Sequence, residues 1–162
     1  MAKHGTVAFI TTPKFRESNL DLAEDFVYTH LYELCDPFSV MTTGRTGTFV
    51  QSLVDREPNG AERKKIRASM GLHHELDGND LERWRRTIRE GLTTTMERFQ
   101  GMIHVTYELV EGRLDGIIHL TDWEDKSAKP DSAVLSREAN VHNVPIATDP
   151  YTAIAYIRGW KR

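Results

Sequence analysis

Short apolar runs alternate along this chain with stretches whose apolar residues recur every three or four positions. Thr6 to Thr11 is a continuous β-rich run, as expected of a strand buried on both faces. Pro13 ends it. From Asn19 a helical stripe begins with Leu20, Ala23, Val27, Leu31 and Leu34. Ser39 to Thr43 reads as a second strand, and Gly47 to about Arg56 as a short helix carrying Val50, Leu53 and Val54. Pro58-Asn59-Gly60 breaks that helix.

The middle is less regular. Ile66 to Met70 is the candidate third strand. Asn79 is expected to cap a helix, with Glu82 as its capping-box partner and Leu81, Trp84, Ile88, Leu92, Met96 and Phe99 as its apolar stripe. Met102 to Val110 supports two readings. Its alternation favours a strand, while its place between two parallel strands favours a helix. Ile117 to Thr121 is a strongly apolar strand, and Asp131 to about His142 a helix with Val134, Leu135, Ala139 and His142 inward. Val144 to Thr148 is a last strand. Asp149 then caps a terminal helix that has Pro150 at its first position and Ala153, Ile154 and Ile157 inward. Strands alternating with helices imply an α/β fold with an open, parallel sheet and helices on both faces.

Size and charge narrow the classes. At 162 residues the chain is expected to form a single domain over 1–162 with one core. A net charge of −3 argues against nucleic acid as the partner. The basic clusters at Arg63-Lys64-Lys65 and at Arg83, Arg85, Arg86 and Arg89 are interleaved with acids and read as solvated helix faces. A lone cysteine, Cys35, allows no internal disulfide and has no obvious base beside it. With no leader or membrane span visible, the expected location is the cytoplasm, with no membrane partner.

Ligands of open parallel sheets bind beyond the carboxyl ends of the strands. Polar residues gather at those ends: Thr11, Thr12, Lys14 and Arg16 after the first strand, and Asp122, Glu124 and Asp125 after the fourth. The second strand ends in Thr43-Gly44-Arg45-Thr46-Gly47-Thr48. There, glycines can let backbone N–H groups close on an oxyanion, threonines add hydroxyls, Arg45 adds charge and the helix behind adds its positive end. Phosphate is the commonest ligand of such a turn. An ordinary strand–helix connection is the alternative reading.

Three blocks carry a likeness. They are Val7-Ala8-Phe9-Ile10 with a basic residue soon after, the Thr43–Gly47 turn, and a long third block. The third runs through Glu111-Gly112-Arg113-Leu114-Asp115, Ile117 to Asp122, Pro130-Asp131 and Asn143-Val144-Pro145-Ile146-Ala147-Thr148. In order and spacing the chain resembles the methylglyoxal synthase family. The resemblance implies five parallel strands in a flavodoxin-like layout, here with a helical insertion over about 59–100. It also implies a homo-oligomer, a hexamer in the family, and a pocket for a phosphorylated small molecule used without cofactor or metal. Thr43, Gly44, Thr46 and Gly47 would cradle the phosphate. Arg16 would stand in for the family's lysine, and Arg45 would add a bidentate contact. Asp122 and Asp131 match two acidic positions of the family site. The family's catalytic aspartate falls on Met102, its histidine ahead of Pro-Asp is missing from Lys126-Ser127-Ala128-Lys129, and another becomes Thr12.

Those departures predict no useful turnover of dihydroxyacetone phosphate, because proton abstraction needs a base within hydrogen-bond reach. Two functions stand. One is a related lyase or isomerase of another phosphate ester, with Asp122 and Asp131 or a histidine moving the proton. The other is a non-catalytic sensor of a phosphorylated metabolite. His104, two residues after the lost aspartate position, is the candidate histidine. Asp131 also reads as a plain helix cap. His119, inside a buried strand, reads first as a core histidine with its hydrogen bonds satisfied. His73, His74, Glu75 and Asp77 read first as a polar surface loop, and the adjacent histidines do not match the usual helical zinc-ligand spacing.

Overall fold

The computed structural model describes residues 4–95, 101–122, 124–126 and 129–160. Five parallel strands form one sheet in the order β3-β2-β1-β4-β5: β1 Thr6–Thr11, β2 Ser39–Thr42, β3 Leu92–Thr94, β4 Gly116–Leu120 and β5 Ile146–Ala147. The chain leaves β1 toward β2 and β3, then returns to the other side of β1 for β4 and β5. The order therefore reverses between β1 and β4, and a crevice opens there beyond the strand ends. The register aligns Ile10 with His119 and Thr11 with Leu120 at that point.

Alternation along the strands divides the core. Val7, Phe9, Val40, Ile118 and Leu120 face one layer of helices. That layer comprises α1 Pro13–Ser18, α2 Leu20–Phe26, α3 Tyr32–Cys35, α4 Gly44–Asp55, α5 Gly60–Ser69, α6 Gly78–Gly91 and α9 Pro150–Trp160. A π-helical turn, Val27–Leu31, joins α2 to α3. Ala8, Ile10 and Ile117 face the other layer, where Val105 and Leu109 of α7 Gly101–Val110 meet Leu135 and Ala139 of α8 Lys129–Val141. Phe9 stacks on Phe26 at 5.3 Å between ring centres. Such a pair contributes about 0.5–1.5 kcal/mol beyond area burial, and it holds α2 against the strand that ends at the crevice.

Several expected elements shift. Ile66–Met70 is not a strand. Ile66 is buried within α5, whose Asn59–Glu62 capping box is complete. The third strand is Leu92–Thr94, paired with Val40–Thr42. Leu92 lies at helical spacing from Ile88, so only this pairing separates it from α6. Met96 and Phe99 lie outside the described residues. The cap of α6 is Asp77, which accepts from the Asp80 N–H, rather than Asn79. Residues 60–91 form part of the helical crossover from β2 to β3. Met102–Val110 is helical, and Gly112 follows its end at φ +70°, a conformation that glycine adopts without strain. Leu20, Val134 and His142 point outward rather than into the core.

A separate helix, Pro13–Ser18, precedes the Asn19 stripe, with Thr12 accepting from the Phe15 N–H as its cap. Finally, α4 begins at Gly44, three residues earlier than the pattern indicates. The Thr-Gly-Arg-Thr-Gly segment is therefore the cap and first turn of a helix. Among the described residues no helix is long and apolar enough to cross a membrane.

Candidate anion site at the sheet switch point

A cavity of about 360 Å³ sits at the crevice between the ends of β1 and β4. Ile10 and Thr11 of β1 and His119 of β4 reach it from the sheet. The opening turns of four helices surround it: Thr12, Pro13 and Arg16 at α1, Thr43 to Arg45 at α4, Gly101 and Met102 at α7, and Asp131 and Ser132 at α8.

The start of α4 is built to leave donors free. Thr43 stands in the cap position, extended at φ −71° and ψ 157°, yet its side chain makes no cap bond. Its hydroxyl donates to Thr46 Oγ1 at 3.0 Å instead. The Gly47 N–H closes the first turn on the Thr43 carbonyl at 2.8 Å. The N–H groups before it have no intrahelical acceptor and carry the positive end of the helix dipole.

Thr46 is fully buried and has a different task. Its hydroxyl accepts from the Thr11 N–H at 3.1 Å and lies 3.4 Å from the Thr11 carbonyl, stitching α4 to the end of β1. Thr46 does not line the cavity, and its hydroxyl is already engaged, so the direct phosphate contact expected of it is not made. Gly47 lies beneath. A Cβ there would stand 2.6 Å from Thr94 Oγ1 and 2.9 Å from Thr42 Oγ1, so its glycine is needed for close packing of α4 on the sheet. The exposed Thr48 donates back to the Gly44 carbonyl at 3.0 Å.

Arg16 and Arg45 give the cavity its charge. Arg16 Nη1 donates to the Thr11 carbonyl at 2.7 Å and to Thr11 Oγ1 at 2.8 Å, and its guanidinium lies 5.9 Å from the Phe49 ring centre. Burial first, and the Arg45 charge second, lower its pKa from the usual arginine value, with Glu17 offsetting part. Among the described residues neither arginine has an ion-paired carboxylate. The basic clusters of α5 and α6 contrast with this: Arg63 pairs with Glu57, Arg83 with Asp80 and Arg89 with Asp55. Two cations left without counterions beside open helix donors form a site of positive potential.

On the α8 side, Asp131 lines the cavity from an exposed first-turn position, where a carboxylate is favoured by the helix dipole. Asp122 does not line it, and its carboxylate accepts from the Glu124 N–H at 2.9 Å. His104 lies on α7 outside the cavity, with its Nε2 3.6 Å from Glu108. Met102, where the resemblance puts the family's catalytic aspartate, does reach the cavity, but a thioether takes no proton. His74 is bound to Asp80 in the first turn of α6 at 2.8 Å. No group of three potential ligands able to hold a metal occurs among the described residues. Cys35 is buried, with Gly91 packed so closely that a Cβ there would meet Cys35 Cβ at 2.6 Å.

Two further lining residues are His119, which the sequence reads first as a satisfied core histidine, and Ser132, which it does not single out. His119 is 1% exposed. Its Nδ1 has no hydrogen-bond partner among the described residues, and neither has the buried Ser132 Oγ. The core-histidine reading therefore fails in one respect: the ring is buried but not satisfied. Its signal in the sequence was position alone, near the carboxyl end of the strand beside β1.

No family profile matches the chain, and no curated protein matches it in sequence. Among solved structures, methylglyoxal synthase from Elizabethkingia anophelis NUHP1 superposes with a TM-score of 0.55 at 17% identity. The match covers 94% of this chain and 76% of that one. At that identity the likeness establishes architecture, and the chain has a methylglyoxal synthase-like α/β fold.

Proposed function

We propose that the crevice between β1 and β4 binds a phosphorylated small molecule. The phosphate would sit against Arg16, Arg45 and the uncapped first turn of α4. The observation that carries this reading is the pair of arginines without carboxylate partners among the described residues, beside helix donors that Thr43 leaves free. Arginine suits the task because its planar fork matches two phosphate oxygens at once. A cavity of about 360 Å³ suits a small ester.

Asp131 gives the site a candidate acid–base group. It is the carboxylate among the lining residues, and it comes from the helix layer opposite α4. A phosphate held on one side and a carboxylate on the other suits proton transfer on the ester's carbon chain, the work of a lyase or isomerase. Asp122 and His104 would need to leave their present contacts to take part, so Asp131 is the assigned group. Met102 in place of an aspartate argues for a substrate other than dihydroxyacetone phosphate.

The test is a thermal-shift series with inorganic phosphate, sulfate and phosphorylated metabolites, followed by product analysis of each hit. A ligand at a hundred times its Kd stabilises by about 2.7 kcal/mol, or roughly 5–10 °C for a chain of this size. A protein unmoved by every phosphate compound would end the proposal. Stabilisation with no product from any hit would reduce it to ligand sensing.

A further inference from the structure

The phosphate reading accounts for one wall of the cavity. Two other residues that line the cavity carry buried polar atoms that this reading leaves unused. His119 Nδ1 and Ser132 Oγ are both shut off from water and both lack hydrogen-bond partners among the described residues. They belong to different elements, β4 and α8, yet both residues line the same cavity. A buried polar group without a partner is destabilising, and native proteins retain few of them. Two at one cavity point to partners supplied from within it.

We infer that His119 and Ser132 form a second subsite, which takes the uncharged oxygens of the ligand's carbon chain while the arginines hold its phosphate. The inference rests on the phosphate reading and extends it to the class of ligand. A neutral imidazole offers one donor and one acceptor, and a serine hydroxyl offers both. Together they can pair with a hydroxyl or carbonyl oxygen. Ser132 reaches the ligand by rotation about χ1 and His119 by a turn of the ring about χ2, the softer torsion.

A second anion is disfavoured at this subsite. Burial keeps His119 neutral at physiological pH, so it brings no positive charge. Asp131, one residue from Ser132 and on the same cavity, adds a negative charge. The ligand class is therefore a phosphomonoester of a short hydroxylated or oxo chain, rather than of a carboxylic acid.

Calorimetric titration of the whole chain with inorganic phosphate, glycerol 3-phosphate and 3-phosphoglycerate tests this. Glycerol 3-phosphate is expected to bind about tenfold more tightly than phosphate, the worth of one or two net hydrogen bonds, and 3-phosphoglycerate no more tightly than phosphate. In Ser132→Ala and in His119→Gln the ratio between glycerol 3-phosphate and phosphate falls toward one. In Arg16→Gln both ligands weaken together and the ratio survives. Should the ratio persist in both subsite variants, or should 3-phosphoglycerate bind as tightly as glycerol 3-phosphate, the second subsite is wrong and the phosphate site stands. If phosphate itself does not bind the unaltered protein, both fall. Ser132→Ala removes only one hydroxyl, so it keeps the test decisive if the His119 variant fails to fold.

Discussion

Arg16 and Arg45 line one cavity as like charges, and the field of Arg45 adds to burial in lowering the pKa of Arg16. Folding places them together although the arrangement costs stability in the absence of an anion. Arg16 is held by the carbonyl and hydroxyl of Thr11, so it cannot swing away without breaking both bonds.

The first prediction follows from that pair. Arg16→Gln and Arg45→Gln are each expected to weaken phosphate binding by about tenfold to a hundredfold, the range of charge-assisted hydrogen bonds. Arg45→Gln should not lower the thermal midpoint in phosphate-free buffer, since it removes repulsion and no ion pair among the described residues. Calorimetry and melting on the same samples check both. A lowered midpoint with unchanged affinity would show that Arg45 is structural.

Thr46 and Thr11 join helix to strand through a buried hydroxyl. Thr46→Val keeps the shape and leaves the Thr11 N–H without its acceptor. The expected cost is about 1–3 kcal/mol in urea unfolding. Thr46→Ser should restore most of it. Equal losses in the two variants would assign the effect to packing of the methyl group.

The two glycines of the α4 turn should separate cleanly. Gly47→Ala forces a Cβ against Thr94 and Thr42 and should destabilise by about 1–3 kcal/mol. At Gly44 a Cβ would meet only the Thr95 carbonyl, at 3.6 Å, an ordinary contact. Gly44→Ala is expected to be neutral or to gain up to about 1 kcal/mol by restricting the unfolded chain. Urea midpoints decide it, and a reversed order would mean that the close packing at Gly47 is misassigned.

His119 sets a pH dependence. Burial pushes its pKa down to about 4, against about 6.5 in the unfolded chain. Between those values the unfolded state binds the proton and the folded state does not, so stability falls as pH drops from about 6.5 to about 4 and levels below. The total is on the order of 3 kcal/mol. Carboxylates held low by partners, such as Asp80 through His74, Asp149 through Thr152 and Glu108 through Arg113, act further down the scale. Unfolding titrations of the wild type and His119→Gln should diverge over this window. Parallel curves would show that the imidazole is not the group responsible.

Dihydroxyacetone phosphate is expected to give no methylglyoxal at an enzymatic rate, since Met102 occupies the position that the resemblance assigns to the base. A continuous assay detecting turnover on the order of 10 per second would overturn the exclusion of this substrate drawn from Met102.

Much of the frame was legible from local pattern. β1, β2 and β4 are runs that no exposed segment would carry, and Asp149-Pro150 marked the start of α9, where the Asp149 carboxylate accepts from the Tyr151 and Thr152 N–H groups. The arginines, Thr43, Gly44 and Asp131 were also legible, because strand order and sheet type bring strand ends together whatever the side chains. β3 was not. Its three residues continue the stripe of α6, and pairing with β2 alone makes them a strand.

What the sequence by itself determined is the alternation of strand and helix and the charges placed at the strand ends, since both follow from side-chain periodicity and local capping. The tertiary structure decided which groups remain free to act. It engaged the Thr46 hydroxyl, packed Gly47 under the sheet and turned Asp122 and His104 to local partners. It also left His119 Nδ1 and Ser132 Oγ without partners among the described residues, at one cavity. The physical reason is that hydrogen-bond satisfaction depends on neighbours distant in the chain, which no local pattern records.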